Sequence, residues 1–208
     1  MAAAFSGVHV TDTLVTIGFE GAQWPGDLKA QMPMGQLPVL RLADGTLMPE
    51  SVDITMHIAT RPGIAPDRQL LTDDTARRFL ELSQARPLSI CNPLLNWFTA
   101  EEAQPQLAAL GAAAPEHWAP VEAQLSASGG PFLAGAVPGV GDLGLCHCAS
   151  NYAALVPGVF DAFSPAFGAW RAAVAGLPGV REYLAERPKT GTGEIGRPGS
   201  IAQIKALD

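Results

Sequence analysis

Charge is scarce in this sequence, and positive charge most of all: Asp, Glu, Lys and Arg make up 16% of 208 residues, with 13 basic against 20 acidic. The resulting net charge of -7 and the lack of any Lys/Arg cluster exclude a protein that works by neutralising phosphates, so neither nucleic acid nor an anionic membrane surface is an expected partner. No apolar run approaches the ~20 residues of a membrane-spanning helix, and the opening MAAAFSGVHV lacks the positive flank and long apolar stretch of a signal peptide. The reading is a soluble chain. Cysteine is also rare: three residues, two of them one position apart, make no disulfide framework, and there is no Asn-x-Ser/Thr sequon. Both absences point to a reducing intracellular compartment, the cytoplasm first, with an organelle as the alternative. What the chain does have is 48% apolar residues and 22 glycines, the composition of a compact globular protein whose core is rich in small residues.

The front of the chain carries strand signals. Ala2 to Phe5 reads as the end of a helix stopped near Gly7, and VHVTDTLVTI, Val8 to Ile17, is rich in Val, Ile and Thr as a strand is. A loop with Gly18, Gly21, Pro25 and Gly26 follows. PVLRL and LM then flank ADGT, a hairpin whose Asp44-Gly45 pair supplies the positive φ values of a tight turn. Glu50-Ser51 opens a helix with Val52, Met56 and Ala59 on one face and Ile54 and Ile58 beside it. Past RPGIAPDR, Arg61 to Arg68, strand signals stop. That segment divides a region 1–60 from an all-helical region 61–188. Thr72 is placed to cap the next helix, with Asp73 and Asp74 in its first turn. Trp118, Val121 and Leu125 keep helical spacing, as do Phe167, Trp170, Val174 and Leu177, and Pro178 stands where a first helical residue would. A tail, 189–208, begins with the Gly-rich KTGTGEIGRPGS and ends in a stripe of Ile201, Ile204 and Leu207.

Met32 to Ala59, MPMGQLPVLRLADGTLMPESVDITMHIA, carries the chemistry. A proline opening a strand donates nothing to the ladder, and a cis bond at Pro38 would turn the Leu37 N–H and C=O outward to pair with a peptide as an added strand segment. Amides and a hydroxyl at Ser51, on a helix N-terminus, suit a carboxylate, and Glu50 suits an amine.

Gly35, Gln36, Pro38, Val39, Leu40, Asp44, Gly45, Glu50 and Ser51, in that order, resemble the glutathione-binding half of the glutathione transferase family. QWPGDLKAQMP, Gln23 to Pro33, resembles the loop of sigma-like members, and LSASGGPFLAG with GVGDLGLCHCA resembles the family's helical segment with Asp142 at the acidic capping position. The resemblance implies an α+β protein, a thioredoxin-like domain followed by an all-α bundle. It implies glutathione as ligand or substrate, held by Trp24, Lys29, Gln36, Leu37, Pro38, Glu50 and Ser51. Gly139 stands where the family has Ser or Thr, which removes half of the helix cap and implies a loss of about 0.5 to 2 kcal/mol.

Two other patterns are set aside. Gly139, Gly141 and Gly144 spell GxGxxG, but between helices and not after a strand. Cys146-His147-Cys148 has metal-ligating residue types, yet neighbours on a helix point different ways, so a buried helix face is expected.

Family members open with a central strand followed by a Tyr, Ser or Cys that holds the glutathione sulfur as thiolate. Nothing of that kind precedes MAAAF, the two tyrosines, Tyr152 and Tyr183, lie in the helical part, and Ser6 falls at the wrong end of its helix. The catalytic residue is therefore unassigned. Two expectations follow: a transferase that conjugates glutathione to electrophiles, by default a homodimer, or a non-catalytic subunit of a larger protein assembly built on the same fold.

Overall fold

A computed structural model of the protein describes residues 1–11, 26–85, 88 and 100–186. The expectations at Trp24, at most of the Val8 to Ile17 strand and in the 189–208 tail lie outside these residues. Helix α1, Ala2–Ser6, stops at Gly7, whose φ of 67° is open to glycine and closes the helix with an N–H bond to the Ala3 carbonyl. Residues 8–11 carry no regular element, so the described start of the expected strand is not a strand.

Helix α2, Leu28–Gln31, leads through a 3-10 turn at Pro33–Gly35 into β1, Val39–Arg41, and β2, Leu47–Pro49. The strands pair antiparallel with Val39 opposite Pro49 and Arg41 opposite Leu47. The hairpin differs from the expected one in its turn. Leu42 N–H bonds the Thr46 carbonyl at 2.9 Å, leaving a three-residue loop, and Gly45 alone takes a positive φ, 88°. Asp44 contributes through its side chain instead, accepting the Thr46 N–H at 2.9 Å, a bond that holds its carboxyl below the usual range.

Helix α3, Ser51–Ala59, buries Ile58 and Ala59 and rests Val52 and Met56 on the core, as its apolar spacing requires. It packs on α1 and on α4, Asp74–Gln84. Thr72 does not cap α4. Asp73 does, accepting the Ala76 N–H at 2.8 Å, because a carboxylate one residue nearer the first turn reaches the N3 amide and also meets the positive helix end.

Helix α5, Ala100–Ser128, continues across Pro105, Pro115 and Pro120, each of which removes one backbone donor. Its buried side carries Ala114, Trp118, Val121 and Leu125. Trp118 meets Tyr152, Phe160 and Phe167 edge-on at 5.4 to 5.6 Å between ring centroids, the arrangement that aromatic quadrupoles favour. Helix α6, Val140–Leu155, crosses α4, and α7, Pro165–Ala175, buries Phe167, Trp170 and Val174. Helix α8, Val180–Glu186, starts after Pro178 and not on it. Gly179, with φ 82°, lies between them, its N–H bonded to the Glu182 carboxylate. Arg68 ties the ends of this arrangement together, donating to the carbonyls of Phe5 at 3.3 Å and Pro178 at 2.8 Å.

The α4–α6 contact explains the three glycines. A Cβ on Gly139 would stand 2.9 Å from Ala76 Cβ; on Gly141 it would stand 2.6 Å from Phe79 Cβ and 2.7 Å from the Ala76 carbonyl; on Gly144 it would stand 2.7 Å from Ser83 Oγ. These spacings leave no room for a side chain. The GxGxxG pattern is a helix-packing seam, with Cys148 continuing it one turn on, its thiol against the Ser83 carbonyl at 3.2 Å.

Candidate functional site

The exposed end of the hairpin gathers most of the residues singled out in the sequence. The Leu37–Pro38 peptide is cis, and Leu37 is 40% exposed. Just before it, Met34 and Gly35 both take positive φ, 55° and 60°, which turns the chain from α2 into β1. The Lys29 side chain lies across this turn: its Cγ and Cε stand 3.3 Å from where a Gly35 Cβ would be, so the bareness of Gly35 gives the lysine stem its path. Gln36, Leu37 and Pro38 are all exposed.

Where β2 leaves this same end of the hairpin, the backbone is strained. Glu50 has φ 70° and ψ 116°, a region sparsely populated by residues with a Cβ, which costs on the order of 1 to 3 kcal/mol and concentrates at ligand clamps. Its side chain makes no cap bond to the helix it precedes. The α3 ladder begins with Ile54 N–H on the Glu50 carbonyl, 2.9 Å, so the first amides of the helix have no partner within it and present a positive end. Ser51 stands there half-buried, and its hydroxyl donates to Gln84 Oε1 at 2.9 Å. Gln84, at the end of α4, is a site neighbour that sequence reasoning missed. Nothing in its local pattern separates it from any polar helix-end residue; only the fold brings positions 51 and 84 together.

Asp142 lies elsewhere, in the core. Its Oδ2 accepts the Gly139 N–H at 2.8 Å, and its Oδ1 accepts the Leu133 N–H at 2.9 Å and the Trp170 Nε1–H at 2.8 Å. Burial pushes its carboxyl above the usual value, while the three donors pull the other way. The reciprocal half of the cap is absent because Gly139 has no side chain, and the Ala76 Cβ of α4, 2.9 Å away, and the Leu71 carbonyl, 3.3 Å away, crowd the space a serine would need. Cys146 and Cys148 are buried on α6, and burial raises the Cys146 thiol to about 11, which keeps it protonated. Tyr152 is fully buried, its hydroxyl 2.8 Å from His117 Nδ1 and its pKa pushed up to about 12. Tyr183 is an exposed residue of α8, and Ser6 closes α1 with its hydroxyl buried.

An α+β front with an exposed strand edge and a strained helix start, followed by a helical bundle, defines the glutathione-transferase class of fold. The comparisons agree: residues 90–187 match the model of the glutathione S-transferase C-terminal domain. Glutathione S-transferase 1 of Ascaris suum is 26% identical over 172 residues, 80% of this chain and 81% of that protein. The glutathione S-transferase of Ascaris lumbricoides superposes with a TM-score of 0.68 at 21% identity, covering 91% of this chain and 90% of that one. The Fasciola hepatica sigma class GST gives 0.66 at 20% identity, over 91% and 89%. The chain therefore has the glutathione transferase fold, with a match to that family's C-terminal domain over residues 90–187. Among the described residues no helix is long and apolar enough to cross a membrane.

Proposed function

We propose that the protein binds glutathione along the Gln36–Pro38 edge and the start of α3, and conjugates it to electrophiles. The observation that carries this reading is the strained, uncapped helix start at Glu50-Ser51, set at the end of the strand that pairs with β1. Strain of that kind persists where the surroundings impose it, and it leaves unpaired amides facing outward for a carboxylate. Leu37, exposed beside Pro38, suits the cysteinyl segment of the tripeptide as an added strand. Lys29, held over Gly35, and Trp24 suit the glycyl carboxylate, and Glu50 suits the γ-glutamyl amine.

The residue that lowers the thiol pKa is unassigned. Of the hydroxyls considered from sequence, Tyr152 is committed to His117 inside the core. A homodimer is the expected state of the enzyme.

Retention on immobilised glutathione, with a turnover assay on a generic electrophile, tests the reading. Retention by the wild type that is lost in Ser51→Ala, together with turnover, supports a transferase. Retention without turnover supports a ligand-binding subunit, and no retention sinks the glutathione site.

A further inference from the structure

The helical part of the molecule carries a groove between α4 and α5, of about 660 Å³, walled by Phe79, Leu82 and Ala85 on one side and by Pro120 and Ala123 on the other. Ala85, Pro120 and Ala123 are exposed and Leu82 is half-buried, so the apolar wall faces outward. Its side chains are mostly small, which leaves room for larger ones to enter from outside. An exposed apolar surface with a polar rim marks an interaction site. The rim here is charged with both signs. Arg78 lies with its guanidinium 4.9 Å from the centre of the Phe79 ring, and Glu81, one turn on, also holds Arg77 at 2.9 Å.

The sequence of the tail fits this groove in size and in charge. Ile201, Ile204 and Leu207 recur every three residues, a spacing that puts them on one helical face, and so short a segment is too small to bury three aliphatic side chains among themselves. Lys205 and Asp208 stand three apart with opposite signs, as Arg78 and Glu81 do. We propose that residues 201–208 dock in the α4–α5 groove of their own chain, antiparallel to α4, with Ile201 at the Ala85 end and Leu207 at the Phe79 end. Lys205 then meets Glu81 and Asp208 meets Arg78; the reversed direction is required because the acid follows the base in both pairs. Residues 187–200, at ~3.3 Å each, reach about 46 Å from the end of α8, well beyond the ~16 Å radius of gyration of a folded chain of this size. The tether holds the segment at an effective concentration on the order of millimolar, which favours it over a second copy of the chain. The docking is independent of the glutathione site.

Hydrogen exchange read by mass spectrometry on the full chain tests it, at a concentration where sedimentation shows a single protomer. Amides of 201–208 are expected to exchange about tenfold or more slower than in a synthetic peptide of residues 197–208. Ile204→Asp is expected to abolish that protection and to free the groove, so that this variant binds the peptide while the wild type, its groove filled, does not. Asp208→Arg is expected to weaken the protection, and Arg78→Asp added to it to restore most of it. Wild-type amides that exchange as fast as the free peptide overturn the inference, as does protection that survives Ile204→Asp. A double variant no better protected than Asp208→Arg overturns the antiparallel placement. Protection that appears only as the protein dimerises on concentration overturns the docking in favour of a second copy seated in the groove.

Discussion

Two helix starts in this chain are built in opposite ways. At α6 the Asp142 carboxylate, buried, receives the Gly139 and Leu133 amides and the Trp170 indole, so every group it touches is paired inside the protein. At α3 the residue before the helix is exposed, twisted to φ 70° and makes no cap bond. The first start spends its polar groups on the fold. The second leaves its first amides without a partner within the helix, alongside local strain at Glu50. Under the proposed function, stability and ligand capture fall to different helix ends, and substitutions at the two should separate them.

Asp142→Ala has the largest expected effect. It strands three buried donors at once, each worth about 1 to 3 kcal/mol when unsatisfied, so a loss of about 3 to 5 kcal/mol is expected in denaturant unfolding. Glutathione retention by the fraction that remains folded is expected to be unchanged. The pH dependence has a definite sign. Burial raises the folded-state pKa of Asp142 above its unfolded value of 3.8. Its contribution is fully present below 3.8 and is lost as pH rises through the raised folded value. The stability advantage of wild type over the non-titrating Asp142→Asn is thus expected to narrow from acid towards neutral pH; an advantage that widened would mean a depressed pKa.

Gly141→Ala comes next. The new methyl would meet the Phe79 Cβ at 2.6 Å and the Ala76 carbonyl at 2.7 Å, neither of which is the flexible end of a side chain. Helix α6 would have to move off α4, and overpacking of this kind costs roughly 1 to 3 kcal/mol. Thermal unfolding checks it: a melting temperature unchanged by the methyl would mean the two helices are not in close contact.

The same contrast decides what could be read from the sequence. The hairpin, α3 and the apolar stripes of α5 and α7 were legible because each is fixed by local pattern, a turn glycine or a periodic buried face. The three prolines of α5 argue locally for breaks, and only the burial of Trp118, Val121 and Leu125 on a continuous face overrides them. The glycine seam was visible as a pattern but not as a contact, since its partner α4 lies some 60 residues earlier. Thr72 and Asp73 compete for one cap within a single residue of each other, a distinction finer than helix-boundary reading resolves. Of the proposed site, Gln36, Leu37, Pro38, Glu50 and Ser51 are taken from their order in the sequence, whereas Gln84, bonded to Ser51, comes from a different helix and carries no sequence mark.

Gly139→Ser tests the seam against the family pattern. A serine there regains a hydroxyl cap worth roughly 1 kcal/mol, yet its Cβ would lie 2.9 Å from Ala76 Cβ and 3.3 Å from the Leu71 carbonyl. The clash is expected to outweigh the cap and leave the variant about 1 kcal/mol less stable. A more stable variant would show that the α4–α6 spacing yields readily.

At the open helix start the expected stability change is the smallest and its sign is reversed. Glu50→Gly removes the Cβ that makes φ 70° and ψ 116° unfavourable, and that relief exceeds the extra unfolded-state freedom of glycine. A gain of roughly 0.5 to 1 kcal/mol in unfolding is expected, with the same helix start. Glutathione affinity is expected to fall, because the proposed binding mode sets the Glu50 carboxylate beside the γ-glutamyl amine. A variant both more stable and weaker in binding would show that strain at Glu50 is kept for the ligand. If Glu50→Gly destabilised the fold, the strained conformation would be held by contacts the protein needs for itself, and the division of labour between the two helix starts would fail.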